Sequence, residues 1–343
     1  MDEAHAQALG PQRKGDAVSG TSVLVTGAGG YLGSQVIAGL AARREAGRVA
    51  SVVALDVREV PLARRLPGVV YATADIRAPG LEALLREHVV DTVVHLASIV
   101  TPGKHSDRTF EHSVDVRGTQ RVLDACLAAQ VGHLIVSSSG AAYGYHADNA
   151  PWLSEDDPIR GNQVFAYAWH KRLVEEMLAR ARQDHPALKQ TIFRIGTILG
   201  ATVRNQITDL FDKPRLIGIR GADSPFVFIW DQDVVGVMLH AIETGKAGIY
   251  NVAGDGALTL RDIAQRLDKP VLALPAWLLR SALWLLKPLG LTQYGPEQID
   301  FLRYRPVLDN QRLKQEFGFI PSMTSAQVFE FYLKARRARQ AES

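Results

Sequence analysis

Residues 23–33 read VLVTGAGGYLG. An apolar run, Val23-Leu24-Val25, ends at Thr26; Gly27, Gly29, Gly30 and Gly33 follow, and a helical pattern runs from Ser34 to about Ala42. The stretch therefore predicts a strand, a tight turn and a helix. Glycine suits such a turn because a Cβ would oppose positive φ and hold a ligand away from the backbone. The helix that follows aims its unpaired N–H groups and the positive end of its dipole at the turn, where a pyrophosphate is the usual occupant. Gly27, Gly30 and Gly33 are spaced G-x-x-G-x-x-G, not the commoner G-x-G-x-x-G. The turn alone is an ordinary strand-to-helix connection; the partners that a dinucleotide requires decide its meaning, and they lie downstream.

Upstream, residues 1–20 are polar with Gly and Pro breakers and read as a mobile tail without the apolar core of a secretory signal. A hydrophobic content of 47% supports a sizeable core, and a net charge of +3 over 343 residues gives nucleic-acid binding no support. The single cysteine, Cys126, excludes an intramolecular disulfide framework and reads as a small buried apolar residue. No metal-ligating set is read. The expectation is a cytoplasmic chain acting on a small molecule.

Downstream, residues 51–56 (SVVALD) read as a buried strand ending in an acid, about 20 residues past the glycines, where a carboxylate accepts hydrogen bonds from the adenosine ribose. Asp56 would repel a 2′-phosphate and so favours NAD over NADP, although Arg58 lies two residues on. Residues 68–72 predict a short strand with Asp75-Ile76 in its exit loop, 81–87 a helix, and 91–97 (DTVVHLA) a strand apolar enough for burial on both faces. His95 within it reads as a satisfied core histidine. A helix over 109–129, a strand over 133–139 (HLIVSSS), a helix over 165–181 and a strand over 190–195 follow. This alternation predicts an α/β fold, a Rossmann-type doubly wound parallel sheet, with ligands at the strands' carboxyl ends. Thr26, Asp56, Ala97, Ser139 and Arg194-Ile195 all fall at those ends.

Ser139, Tyr167 and Lys171 carry the chemistry. Tyr167 and Lys171 stand at i and i+4 on one helix face. A phenol with a pKa of about 10 is a poor base at neutral pH; an ammonium one turn away favours the phenolate. A serine hydroxyl at the facing strand end can hold a substrate oxygen. Y-x-x-x-K alone is any helical surface pair, but here it follows the glycine turn, the acidic strand end and the serine strand end in order.

At TGAGGYLG (26–33), Asp75-Ile76, VHLA (94–97), DVRGTQRVLDA (115–125), SSSGAAYG (137–144), YAWHK (167–171), RIGTILG (194–200), DQDV (231–234) and YNVAG (250–254), the chain resembles the extended short-chain dehydrogenase/reductases of the NAD-dependent epimerase/dehydratase family, in particular the bacterial UDP-glucose 4-epimerase-like subgroup. The resemblance covers about residues 21–255, with a fainter match at 309–321. It implies Tyr167 as general acid/base, Lys171 as its partner and ribose anchor, and Ser139 as donor to the substrate oxygen. It further implies cofactor contacts from Gly27, Gly30, Tyr31, Leu32, Gly33, Asp56, Asp75, Ile76, Leu96, Ala97 and Ile195, with Tyr167 and Lys171 shared.

The departures bear on substrate. Asp115 stands where the family usually has asparagine, and it is expected to keep a hydrogen-bonding role with altered charge. Ser139-Gly140-Ala141 lacks the carboxylate of the family's dehydratases, which disfavours dehydration. Thr197 and Phe226 stand where UDP-hexose epimerases carry an asparagine and a phosphate-binding arginine. Arg303 or Arg305 could compensate, though each reads equally as a solvated helix end.

Three readings remain. The first is an NAD-dependent oxidoreductase interconverting a secondary alcohol and a ketone on a rather apolar substrate. The second is a sugar-nucleotide 4-epimerase, and the third a dinucleotide-sensing regulator. Residues 21–196 with about 226–252 are expected to form the NAD-binding domain, and 197–225 with 253–340 a smaller, mostly helical substrate cap. The resemblance implies a homodimer, through helices 109–129 and 165–181. Residues 271–291 (VLALPAWLLRSALWLLKPLGL) are the most apolar run, but Arg280, Lys287, Pro275 and Pro288 argue against a membrane span. Trp277 and Trp284 are expected to pack within the cap or on a second subunit, or else to form a greasy wall open to an apolar substrate or a membrane surface.

Overall fold

The computed structural model describes residues 20–100, 107–286, 295–296 and 298–341. The expected mobile tail, apart from residue 20, and Lys287 and Pro288 of the apolar run lie outside the described residues. In chain order the first half comprises β1 (Thr21–Thr26), α1 (Tyr31–Glu45), β2 (Val49–Asp56), β3 (Val70–Thr73), α2 (Leu81–Glu87), β4 (Thr92–His95), α3 (Arg108–His112), α4 (Thr119–Ala128), β5 (His133–Ser139), α5 (Ala166–Asp184) and β6 (Lys189–Ile195). The second half comprises β7 (Thr197–Leu199), α6 (Gln206–Asp212), β8 (Leu216–Ile219), β9 (Phe228–Trp230), α7 (Asp231–Thr244), β10 (Gly248–Val252), α8 (Leu260–Leu267), β11 (Val271–Leu274), α9 (Ala276–Leu286), α10 (Gln298–Arg303) and α11 (Ser325–Ala341).

Seven strands form one parallel sheet in the order β10-β6-β5-β4-β1-β2-β3. The strands are apolar on both sides because both sides are covered. Val23, Val25, Val52, Ala54, Val94, Ile135 and Phe193 face α1 and α7, while Leu24, Val53, Leu55, Val93, Leu134, Val136 and Ile192 face α2, α4 and α5. The chain reverses direction across the sheet between β1 and β4, and the crevice above their carboxyl ends is the switch point where ligands bind in such sheets.

The helix expected over 109–129 is interrupted. Asp107 caps α3 by accepting from the Phe110 N–H, and a π-helical turn at Ser113–Gly118 joins α3 to α4. Such turns are frequent at functional positions, and this one carries Asp115.

The cap residues, 197–225 and 253–340, are less purely helical than their sequence suggests. Phe228–Trp230 pairs with Thr197–Leu199 instead of joining the large sheet, and Val271–Leu274 pairs in parallel with Leu216–Ile219. Both strand pairs rest on an aromatic cluster that includes Phe211, Phe226, Phe228, Phe329 and Tyr332. Residues 271–274 are therefore a strand, and the apolar run becomes a strand, Pro275 and then α9. Trp277 and Trp284 do not pack within the cap: they are 70% and 72% exposed, seven residues apart on one side of α9, with Leu278 and Leu285 beside them. No described residue of α9 is buried. Leu279, Leu283 and Leu286 share its other side and are only partly covered. No helix among the described residues is long and apolar enough to cross a membrane.

Candidate active site

The glycine turn is built by backbone contact. Gly27 has φ +69° and sits against the backbone of Leu96 and Ala97, where an added Cβ would lie 2.8 Å from the Ala97 nitrogen. The Gly30 N–H donates to the Gly27 carbonyl at 3.0 Å, and no side chain caps α1 at Gly30. The open helix N-terminus and the Cβ-free approach of β1 to α1 are what a pyrophosphate needs. Asp56 braces the same turn: its Oδ2 accepts from the Gly29 N–H at 2.9 Å and its Oδ1 from the Arg58 N–H at 3.0 Å. Tyr31 donates to Asp231 Oδ2 at 2.5 Å, tying the turn to α7. Burial, then this hydrogen bond, pushes the Tyr31 phenol up to about 12.

Asp75 and Ile76 follow β3 as expected, with the Asp75 carboxylate paired to Arg77 and Ile76 buried. The Arg77 hydrogen bond holds the Asp75 carboxyl below its ordinary value, against the opposing effect of burial.

His95 is a satisfied core residue. Thr119 donates its hydroxyl hydrogen to the Asp115 carbonyl, so it accepts from His95 Nε2 at 2.9 Å; His95 Nδ1 then accepts from Thr26 Oγ1 at 2.7 Å. Burial, followed by the Lys171 charge, lowers its pKa to about 3, so the ring is neutral.

A cavity of about 590 Å³ lies over the crevice. Gly27, Gly30, Tyr31, Leu32, Gly33, Leu96, Ser139, Tyr167, Lys171 and Ile195 all line it. Asp56, Asp75, Ile76 and Ala97 do not; they stand behind the turn or on neighbouring strand ends. Lys171 is buried, donates to the Ser137 carbonyl at 2.9 Å and stands 5.5 Å from the Tyr167 ring centre. Ser139 Oγ accepts from the Ala141 N–H at 3.2 Å, which leaves its own hydrogen to donate. Beside it, Ser138 donates to Glu175, which forms a buried pair with Arg194 at 2.8 Å that fixes β6 against α5.

The opposite wall corrects one expectation. Arg305 is not a solvated helix end. Its guanidinium lies 4.0 Å from the Phe226 ring centre and 4.4 Å from that of Phe301, and its Nε is buried without a hydrogen-bond partner. Burial lowers its pKa to about 10, which leaves it a cation. Tyr145 packs edge-on against Phe301 at 5.1 Å and Phe165 at 5.2 Å, completing an aromatic corner. Local periodicity could not reveal this group, because Phe226 and Arg305 are 79 positions apart in the sequence. Among the described lining residues there are three cations, Lys171, Arg204 and Arg305, and no Asp or Glu.

A model of the NAD dependent epimerase/dehydratase family matches residues 23–253. The chain is 28% identical over 318 residues to an uncharacterised protein of Mycobacterium tuberculosis, covering 92% of this chain and 84% of that one. It is 33% identical to a UDP-glucose 4-epimerase of Yersinia pestis over 188 residues, 52% of this chain and 54% of that enzyme. The fold is shared with the Thermus thermophilus UDP-glucose 4-epimerase solved with NAD, at a TM-score of 0.69 and 22% identity over 92% of this chain and 99% of that one.

Proposed function

The chain belongs to the NAD-dependent epimerase/dehydratase family, and on that premise we propose that it interconverts a secondary alcohol and a ketone on a substrate with an apolar body and one anionic group. One observation carries this reading: the glycine turn, Ser139, Tyr167 and Lys171 share a single cavity with Arg305, whose charge has no carboxylate facing it among the described lining residues. Bound NAD supplies the hydride acceptor. Ser139 donates its free hydrogen to the substrate oxygen and holds it in line. Tyr167, as phenolate, takes the hydroxyl proton, and the Lys171 ammonium favours that charge. Arg305 receives the anionic group at the far wall, and Val203, Ile207, Phe226, Val227 and Leu308 cover the apolar body. Dehydration is not supported, because the described lining offers no carboxylate to remove a proton or protonate a leaving hydroxyl. Residues 197–225 and 253–340 act in this reading as the cap that supplies Arg204, Phe301 and Arg305.

The second reading is a sugar-nucleotide 4-epimerase, favoured by the cationic lining and by the relatives that carry that name. Incubation with NAD and alcohols bearing or lacking a carboxylate or phosphate separates the two. Net NADH formation on an anionic, apolar alcohol supports the first reading, and exchange of UDP-hexose isomers without NADH release supports the second. Binding of NAD with neither activity leaves a dinucleotide sensor. Arg305→Leu is expected to lower kcat/KM for the anionic substrate about 10- to 100-fold and to leave an uncharged analogue little changed. Equal losses on both would remove Arg305 from substrate recognition.

The bare side of α9 supports contact with a membrane surface, from which an apolar substrate would be drawn. Sedimentation with anionic liposomes checks this. The parent is expected to pellet, and a Trp277→Ser/Trp284→Ser variant to stay in solution with its melting temperature unchanged. A parent that remains in the supernatant would refute the contact.

A further inference from the structure

Asp115 is 4% exposed and His170 is 2% exposed, yet each carries a titratable group. Asp115 Oδ1 accepts from Ser98 Oγ at 3.0 Å and from the Ile99 N–H at 2.8 Å, and its Oδ2 lies 3.0 Å from His170 Nδ1. Burial raises the Asp115 carboxyl, but the His170 hydrogen bond, the Lys171 charge and the Ile99 and Ser98 donors outweigh it and hold the group below its ordinary value. An ionised carboxylate only accepts, so His170 Nδ1 carries a hydrogen. His170 is the residue before Lys171 on α5. The pair thus fastens the π-helical turn and the loop after β4 to the helix that bears Tyr167 and Lys171.

A second, small cavity of about 10 Å³, room for one water, borders both Asp115 and Lys171. It is lined by Asp115, Ser98, His95 and Lys171, among others, and Asp115 is the one carboxylate among its described lining residues. Other titratable groups stand near the pair, and Tyr145 faces Tyr167 itself. His95 on β4 is neutral. His112 on α3 meets the His170 ring edge-on at 5.5 Å, and burial, then the neighbouring His170 and Arg117, lowers its pKa. Arg117 belongs to the same π-helical turn as Asp115. Among the described lining residues no other carboxylate therefore offsets or duplicates Asp115 at this point.

We propose that Asp115 and His170 are positioning residues that set the pH at which Tyr167 releases its proton, the carboxylate raising that pH and the imidazole lowering it. The proposal rests on the acid/base role given above to Tyr167. A buried negative charge beside Lys171 stabilises the ammonium and opposes a phenolate nearby. A donor on that carboxylate spreads its charge and weakens both effects. The two side chains therefore act with opposite sign, which a purely structural pair would not do.

The test needs no substrate. The ultraviolet absorbance of tyrosinate is titrated in the NAD-saturated protein, with the same variant carrying Tyr167→Phe subtracted as the blank. Asp115→Asn is close in shape and is expected to move the Tyr167 midpoint down by about one pH unit. His170→Phe is expected to move it up, and His170→Gln, which keeps a donor, to stay near the parent. Unmoved midpoints, or shifts of the same sign in Asp115→Asn and His170→Phe, would overturn the inference while leaving Tyr167 as the base. Absence of any Tyr167 signal in the parent would overturn both. Melting curves of each variant confirm that the compared proteins are folded.

Discussion

Tyr167→Phe is expected to lose turnover by about 10²- to 10⁴-fold, the usual range for removing a positioned acid/base, while folding and binding NAD as the parent does. The substitution deletes one oxygen. Among the described residues no hydrogen bond from the protein reaches that oxygen, so its removal strands no buried donor or acceptor. The ring stays beside Lys171, and Lys171 keeps its bond to the Ser137 carbonyl. The measurements are turnover on the substrate found by the alcohol and UDP-hexose screen, NAD titration by protein fluorescence, and a melting curve. Near-full turnover would remove Tyr167 from the chemistry. Equal losses of turnover and NAD affinity would make it a binding residue instead.

The sheet was readable because its physics is local. A strand covered on both sides must be apolar at successive positions, and residues 52–55, 93–94 and 134–136 are. The crevice was readable because the topology places every strand end on one edge, so Ser139 and the glycine turn could be brought together before any coordinates. The far wall was not readable. Arg305 follows a short helix with charged neighbours, which is the pattern of a solvated end, and only the rings of Phe226 and Phe301 make it a half-buried cation at the cavity wall. The strand Val271–Leu274 is hidden for a related reason: its partner, Leu216–Ile219, lies some 55 positions earlier, and four apolar residues before Pro275 carry no strand signal without that partner. Asp115 stands out as a departure from the family, but its partner His170 does not, since a histidine inside Y-x-x-x-K has no spacing that marks it. Pairings of this long range are the natural positions at which substrate and pH dependence come to differ between proteins that share a sheet.

Gly33→Ala tests the glycine turn proposed to receive the cofactor's pyrophosphate. Gly33 lies inside α1, and helix propensity alone would make alanine there better by up to about 1 kcal/mol. Packing opposes this. An added Cβ would stand 2.1 Å from the Gly27 carbonyl oxygen and 2.8 Å from the Ala28 Cα, both backbone atoms that cannot rotate aside. The Gly27 carbonyl is also held by the Gly30 N–H, so α1 must retreat from β1 or the turn must open. Overpacking of this kind costs roughly 1–3 kcal/mol, which exceeds the propensity gain, and the retreat moves the helix N-terminus off the pyrophosphate position. The expected result is a lower melting temperature and an NAD affinity reduced by at least about tenfold, the equivalent of about 1.4 kcal/mol. Gly132→Ala is the control, because its added Cβ would meet nothing closer than the Asp91 carbonyl at 3.7 Å; it should melt within about 0.5 kcal/mol of the parent. If Gly33→Ala melts and binds NAD as Gly132→Ala does, close backbone approach is not what the third glycine provides, and the turn would have to hold its ligand by some other contact.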